Sequence, residues 1–404
     1  MLRAQYTGQT MSIPTFLTGL SGSVRQSRYR NYIVTLPLIV FFLTLTVLSF
    51  VIVDPGILGE FVSAGGMVAP LVILALLAYL GEKSSLARYI TIFWLLGLLT
   101  GIVLITFLLI LGPAGALSSD PDAADAWVQS LPPATVATAL LVPLCAGIVS
   151  LMGFSRRFRG LLARVLPIDP DSFVHTIALV TVLALILMPL VPLAVTGNAP
   201  FLDANLQNIL GIGTEAPGSS VNLDTFTLIW TIIGSFFLVG LWVRRDIRGT
   251  LARLGLVRPT LRQVLLAIVM GIVLVGIFQV FDNILTGFFA ASGITVTDET
   301  LVGNLFAASF TPLAAVVASI SAGLGEELAI RGVVQPRFGL LLSALVFASL
   351  HAYQYAWDGV IGVLLAGLCF GVLRKYTNTS TSAICHGTYD LVLFALVMAG
   401  FTTI

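Results

Sequence analysis

The sequence is dominated by apolar runs of about 20 residues, the length that an α-helix needs to cross a bilayer core about 30 Å thick. Lipid offers the backbone no hydrogen bonds, so such runs are expected to be helices. They lie near 32–53, 63–81, 89–111, 133–154, 173–195, 223–243, 263–288, 304–325, 338–354, 358–373 and 382–402. The run at 338–354 is short for a full crossing. We therefore predict an all-α, polytopic transmembrane helix bundle of about 11 spans.

Composition excludes several other classes of protein. Only 10% of the 404 residues are charged and 57% are hydrophobic, whereas soluble domains carry about 25% charged residues. The net charge of +1 provides no field to attract nucleic acid, so no nucleic-acid partner is expected. The three cysteines lie in apolar runs without paired spacing, which argues against a disulfide scaffold and a Cys-rich zinc module. They are Cys145, Cys369 and Cys385. The lipid bilayer is the partner that this composition implies.

The basic residues predict the orientation of the chain. They are concentrated in alternate polar segments, at 1–31, 83–88, 156–164, 244–262, 331–337 and 374–375. Cytoplasmic loops carry an excess of Lys and Arg, so we assign these segments to the cytoplasm. The amino terminus is then inside. A polar stretch of about thirty residues precedes the first span, which is not the pattern of a cleavable signal. An integral membrane protein of the bacterial plasma membrane is expected.

The distribution of polar residues divides the chain into four parts. We predict a cytoplasmic segment at 1–31, a six-span region of unknown role at 32–243, a basic cytoplasmic linker at 244–262 and a distinct domain at 263–404. The first six spans are expected to lack ionisable groups in their interiors. The last part places six ionisable residues within or beside apolar helices: Glu326, Glu327, Arg331, His351, His386 and Asp390. A charge at the bilayer centre costs at least about 2.5–3.5 kcal/mol, so these residues are candidates for function.

The first of three motifs is EELAIR at 326–331. Glu327 and Arg331 are four residues apart, so on a helix they share a face and can form an ion pair. Glu326 lies about 100° round the helix and lacks that partner, which leaves it able to accept a proton from water. The alternative is an ion cluster at the membrane edge without a function.

Two further motifs use the same helical spacing. In FASLH, Phe347 can pack beside the ring of His351 and hold its orientation. In HGTYD, His386 and Asp390 share a face, and Gly387 allows another backbone to come close. The alternatives are a core histidine and a hydrogen bond within the helix. The helical rise of 1.5 Å per residue brings the three motifs together in the cytoplasmic half of the membrane.

These motifs, in this order on successive helices, read as EExxxR, FxxxH and HxxxN/D. The chain thereby resembles the CPBP family of intramembrane proteases, which includes the type II CAAX prenyl endopeptidases and bacterial relatives linked to bacteriocin processing or self-immunity. The resemblance covers roughly residues 263–400, so 263–404 is interpreted as a CPBP-like intramembrane protease domain with a CPBP-type helical core. Residues 32–243 have no counterpart in that core.

The resemblance also implies roles for the motif residues. Glu326 and His351 would activate a water molecule that hydrolyses a peptide bond of a membrane-anchored peptide or protein. Glu327 and Arg331 would be a supporting pair, and His386 with Asp390 would stabilise the oxyanion. The family is regarded as independent of metal, so no cofactor is expected.

Asp390 departs from the commonest family pattern, because many members carry Asn at this position. An amide can donate a hydrogen bond to an oxyanion, whereas an ionised carboxylate can only accept one. Asp390 is therefore expected either to be protonated or to orient His386, which then donates alone.

Three alternatives remain open at this stage. Two carboxylates and two histidines match the donors of a catalytic zinc site, although HExxH spacing is absent. Cys385 could be a nucleophile, although an apolar setting makes a thiol poorly reactive. The protein could instead be a transporter or a non-catalytic scaffold or immunity protein, with Asp282 and Gln279 as the first residues to test for a proton relay.

Overall fold

A computed structural model describes residues 30–52, 56–112 and 121–401, and these are almost entirely helical. Most of the predicted segment 1–31 therefore lies outside the described residues. The principal helices are α1 Arg30–Val51, α2 Ile57–Gly81, α3 Ser85–Leu111, α4 Pro133–Ser150, α5 Phe173–Leu187, α6 Ser220–Leu238, α7 Leu261–Ala291, α8 Pro312–Ile320, α9 Gln335–Leu350, α10 Trp357–Tyr376 and α11 Thr379–Met398. Between α8 and α9 the chain is π-helical, over Ser321–Glu326 and Leu328–Val334.

The predicted membrane architecture is confirmed. Among the described residues, ten helical runs are long and apolar enough to cross a bilayer. Large apolar side chains cover their outer faces, and Phe50 and Phe93 are each 80% exposed. Exposed apolar surface on this scale marks contact with lipid. The chain is an integral membrane protein.

The eighth and ninth predicted spans are parts of one helical run of 42 residues, Pro312–Tyr353. Within it, Gly339 has φ 72° and ψ −179°, a backbone conformation open essentially to glycine alone. On a straight helix Arg331 and Phe347 would be about 24 Å apart, yet the Arg331 guanidinium lies 4.4 Å from the Phe347 ring centroid. The run therefore reverses at Gly339. This reversal explains why ten runs are found where about 11 spans are expected.

Loops with the same predicted sidedness meet at the same end of the bundle. At one end, Arg337 donates a hydrogen bond to the carbonyl of Pro167 at 3.1 Å. At the other, the Gln207 amide donates to the carbonyl of Leu301 at 2.8 Å. The alternation inferred from the basic residues is thus consistent with these contacts. The assignment of the first end to the cytoplasm stays a prediction.

Helix α11 lies at the centre of the carboxy-terminal half and is in backbone contact with two neighbours. A Cβ atom added at Gly271 of α7 would lie 2.7 Å from the carbonyl of Cys385. One added at Gly323 would lie 2.5 Å from the amide of Gly387. Small residues permit this close approach between membrane helices. The close approach predicted at Gly387 is confirmed, and it brings the third motif against the first.

Helix α6 of the six-span region packs against the π-helical segment. The hydroxyl of Ser321 donates a hydrogen bond to the backbone carbonyl of Asp224 at 2.9 Å. A Cβ atom at Gly325 would lie 3.7 Å from both Leu228 and Thr231. The Oδ2 atom of Asp224 is enclosed without a hydrogen-bond partner among the described residues. Asp224 lies near the amino-terminal end of α6 and beside the segment carrying Glu326, so the expectation that the interiors of spans one to six lack ionisable groups stays a prediction.

Candidate active site

The first motif lies on π-helix rather than α-helix. Ser321–Glu326 and Leu328–Val334 follow this wider spiral with only Glu327 between them. π-helical turns are rare and occur frequently at functional sites. The expectation of an α-helix here is wrong, because residue types alone do not distinguish the two spirals. Glu327 and Arg331 still face one another, since four residues are close to one turn of either spiral.

Glu327 joins the first motif to the third. Its side chain and that of Arg331 are both fully buried, and Oε2 lies 3.3 Å from Nε of Arg331. The predicted ion pair is therefore present. Oε2 also accepts a hydrogen bond from the hydroxyl of Ser382 at 2.5 Å, and Oε1 accepts one from Nδ1 of His386 at 3.2 Å. Sequence reasoning missed Ser382, whose only signal is its position four residues before His386.

Arg331 is held by aromatic rings as well as by Glu327. Its guanidinium lies over the Phe347 ring at 4.4 Å and donates a hydrogen bond to the carbonyl of Gly367 at 3.1 Å. The ring of Phe347 also contacts the ring of His351, with centroids 4.8 Å apart. The predicted packing of Phe347 on His351 is present, and the same ring also supports the buried cation.

The hydrogen bond of His351 fixes its tautomer. Nδ1 lies 2.8 Å from the backbone carbonyl of Phe347. A carbonyl can only accept, so Nδ1 carries the proton in that contact. In the neutral ring, Nε2 is then the atom with the lone pair and is the position that can accept a proton.

His386 lies between two carboxylates. Nδ1 contacts Glu327, and Nε2 lies 3.5 Å from Oδ2 of Asp390. The ring stacks on Phe370, with centroids 4.6 Å apart and planes 20° apart. The predicted pair of His386 and Asp390 is present, at a distance longer than a normal hydrogen bond. Because ionised carboxylates only accept, a proton on Nε2 or on Asp390 is needed for the two to attract one another.

Glu326 differs from Glu327 in its surroundings. It is half-buried, and it makes no hydrogen bond or ion pair with any described residue. Its charge acts on His386 and Asp390 of the third motif. Glu326 precedes the reversal at Gly339 by about as many residues as His351 follows it, so the two lie on successive arms of one helical run.

The depth of the motif residues can be estimated from the rise per residue along their helices. His351 is about 18 Å beyond Gly339, and Asp390 is about 16 Å beyond the start of α11 at Thr379. His386 is about 10 Å beyond the same start, so the motif residues span depths of about 10–18 Å. Their expected place in the cytoplasmic half of a core about 30 Å thick stays a prediction.

The structure also shows the surroundings of Cys385 and Asp282, the residues named for the nucleophile and proton-relay alternatives. Cys385 is fully buried and packs against α7, so a substrate carbonyl has no route to its sulfur. Asp282 of α7 is close enough to Asp358 and Glu299 for their charges to act on it. Among the described residues, no three His, Cys, Asp or Glu side chains are grouped so that they could hold a metal ion.

Fold and site together define a polytopic membrane protein with a carboxylate–histidine cluster inside the bilayer. A family model described as Rce1-like, type II CAAX prenyl endopeptidase Rce1-like, matches residues 308–392. These residues contain all three motifs, so the resemblance to CPBP-type proteases is confirmed over this segment. No curated protein and no solved structure matches the chain. The carboxy-terminal part is thus CPBP protease-like, and the six-span region lies outside the match.

Proposed function

We propose that the protein is an intramembrane endopeptidase that hydrolyses a peptide bond of a membrane-associated peptide or protein. The match to the type II CAAX prenyl endopeptidases over residues 308–392 supports a peptidase in general. The placement of the motif residues inside the bundle supports a substrate that is itself held in the membrane. We further propose the bacterial plasma membrane, with a cytoplasmic amino terminus, as its location.

The different surroundings of the adjacent residues Glu326 and Glu327 are the observation that carries this proposal. Glu327 is occupied by Arg331, Ser382 and His386, so it stabilises the site and cannot easily take a proton. Glu326 has no such partners among the described residues, and it lies on the arm of the helical run before Gly339, whereas His351 lies on the arm after it. A carboxylate that has no partner, and whose charge acts on the imidazole of His386, is able to accept a proton as a general base does.

In the proposed reaction, the carboxylate of Glu326 takes one proton from a water molecule, while Nε2 of His351 accepts a hydrogen bond from the other hydrogen of that water. The resulting hydroxide forms a bond to the scissile carbonyl carbon, and the carbonyl π electrons move to oxygen. His386, oriented by Glu327 and Asp390, stabilises that oxyanion. The carbon–nitrogen bond then breaks, and the leaving amine takes the proton back. No cofactor is required, because every proton and electron pair stays among these groups.

The test compares membranes from cells that express the wild-type protein or the Glu326→Gln variant. Mass spectrometry of membrane peptides should show at least one peptide that is cleaved with wild type and accumulates intact with Glu326→Gln. Glu215→Gln is the matched control, since Glu215 is exposed and remote from the motifs, and it should cleave like wild type. Purified Glu326→Gln protein that still cleaves the peptide would overturn the proposal. Binding without cleavage by wild type would support a scaffold instead.

A further inference from the structure

We propose that the hydroxyl of Tyr355 donates a hydrogen bond to the oxyanion that forms at the scissile carbonyl. This inference rests on the proposed function and adds a catalytic residue outside the three motifs. The inference starts from a hydrogen-bond donor that the three motifs do not supply. Asp390 stands where an amide could donate, and Nε2 of His386 faces that carboxyl group at 3.5 Å. A further donor is needed near the same atoms.

Tyr355 is placed by the turn that directly follows His351. Its backbone amide donates to the carbonyl of His351 at 3.0 Å. The two rings are stacked, with centroids 6.3 Å apart and planes 18° apart. The phenol is therefore fixed relative to the imidazole that is proposed to activate water.

A buried polar clamp holds this turn. The hydroxyl of Thr297 accepts from the backbone amide of Ala356 at 3.0 Å and donates to Asp358 at 2.7 Å. Asp358 is 1% exposed and also accepts from the hydroxyl of Thr286 at 3.1 Å. Gly359 leaves room for Tyr355, because a Cβ atom there would lie 2.7 Å from the Tyr355 Cβ. The clamp limits the freedom of the turn, which is what a preorganised donor requires.

The surroundings of Tyr355 suit a donor. Its hydroxyl makes no hydrogen bond to any described residue, and its charged neighbours include Asp390 and Glu326. A tyrosine phenol loses its proton only in strongly alkaline solution. The phenol therefore keeps its proton at neutral pH and can donate it in a hydrogen bond, with no proton transfer in the step.

The experiment uses the full-length protein and the peptide whose cleavage distinguishes wild type from Glu326→Gln. Tyr355→Phe keeps the ring and its stacking but removes the hydroxyl, so kcat should fall roughly 100-fold with KM nearly unchanged. Tyr353→Phe is the matched control. Tyr353 lies in the same turn, but its ring packs on Phe201, with centroids 6.0 Å apart. It should retain wild-type kcat.

A second measurement separates chemistry from folding. An aldehyde made from the same peptide hydrates to a tetrahedral diol, which mimics the intermediate. Its inhibition constant should weaken in Tyr355→Phe by about the factor lost in kcat/KM, as expected for a transition-state analogue. Wild-type kcat in Tyr355→Phe, or a loss that appears in KM with unchanged aldehyde affinity, would overturn the role of Tyr355 alone. Absence of any cleavage by wild type would overturn the proposed function, and this inference with it.

Discussion

The carboxylate of Glu327 contacts Nδ1 of His386 at 3.2 Å, across 59 residues of sequence. The same carboxylate faces the buried guanidinium of Arg331 at 3.3 Å. One side chain thus ties two motifs together and neutralises a cation inside the bundle. The first consequence of this double contact is for the stability of the protein rather than for its chemistry.

Glu327→Ala should destabilise the protein by about 3–5 kcal/mol, because it leaves the charge of Arg331 buried and uncompensated. Thermal unfolding in detergent would show this as a large fall in the midpoint. Glu326→Gln is the control, since Glu326 has no partner to lose, and its midpoint should stay near that of wild type. Removing both charges, as Glu327→Leu with Arg331→Met, should recover much of the stability. A Glu327→Ala protein as stable as wild type would contradict the ion pair.

Asp390→Asn tests what the carboxyl group contributes. If Asp390 is protonated or only orients His386, an amide can take over, and cleavage should be retained or increased. The measurement is kcat of purified protein on the peptide identified with Glu326→Gln. Asp390→Leu is the companion variant, because it removes both donor and acceptor and should lower kcat. Complete loss in Asp390→Asn would instead assign Asp390 a role that needs its negative charge.

Chelation tests the zinc alternative. A catalytic zinc site needs three protein ligands, whereas most imidazole nitrogens here are engaged. His386 contacts Glu327 and Asp390, and Nδ1 of His351 contacts a backbone carbonyl. We therefore expect full cleavage after exhaustive treatment with a strong chelator. Loss of cleavage that zinc alone restores would favour the metal-dependent reading.

Much of this arrangement could be predicted from the sequence because each motif is local. Glu327 and Arg331, Phe347 and His351, and His386 and Asp390 are each four residues apart, so helical geometry alone brings each pair together. The membrane spans follow from the same kind of local pattern. The three contacts within the motifs are all present in the structure.

Contacts between motifs could not be predicted in the same way. Ser382 contacts Glu327 only through the packing of α11 against the π-helical segment, and its position does not stand out in an apolar sequence. The π-helical spiral around Glu327 has no residue signature of its own. Asp224 was overlooked because a single acid near a span end looks interfacial until α6 is seen against the segment that carries Glu326.

The last prediction concerns the reversal that sets the depth of His351. Gly339 adopts φ 72° and ψ −179°, and a Cβ atom there would approach Leu166 to 3.2 Å. Gly339→Ala should therefore cost about 1–3 kcal/mol and shift His351 relative to Glu326, so that both the unfolding midpoint and kcat fall. Gly362→Ala in α10 is the control, because no atom lies within 4 Å of its added methyl. Since alanine is the better helix former, Gly362→Ala should be neutral or stabilising by up to about 1 kcal/mol. Equal behaviour of the two variants would contradict a hairpin that depends on Gly339.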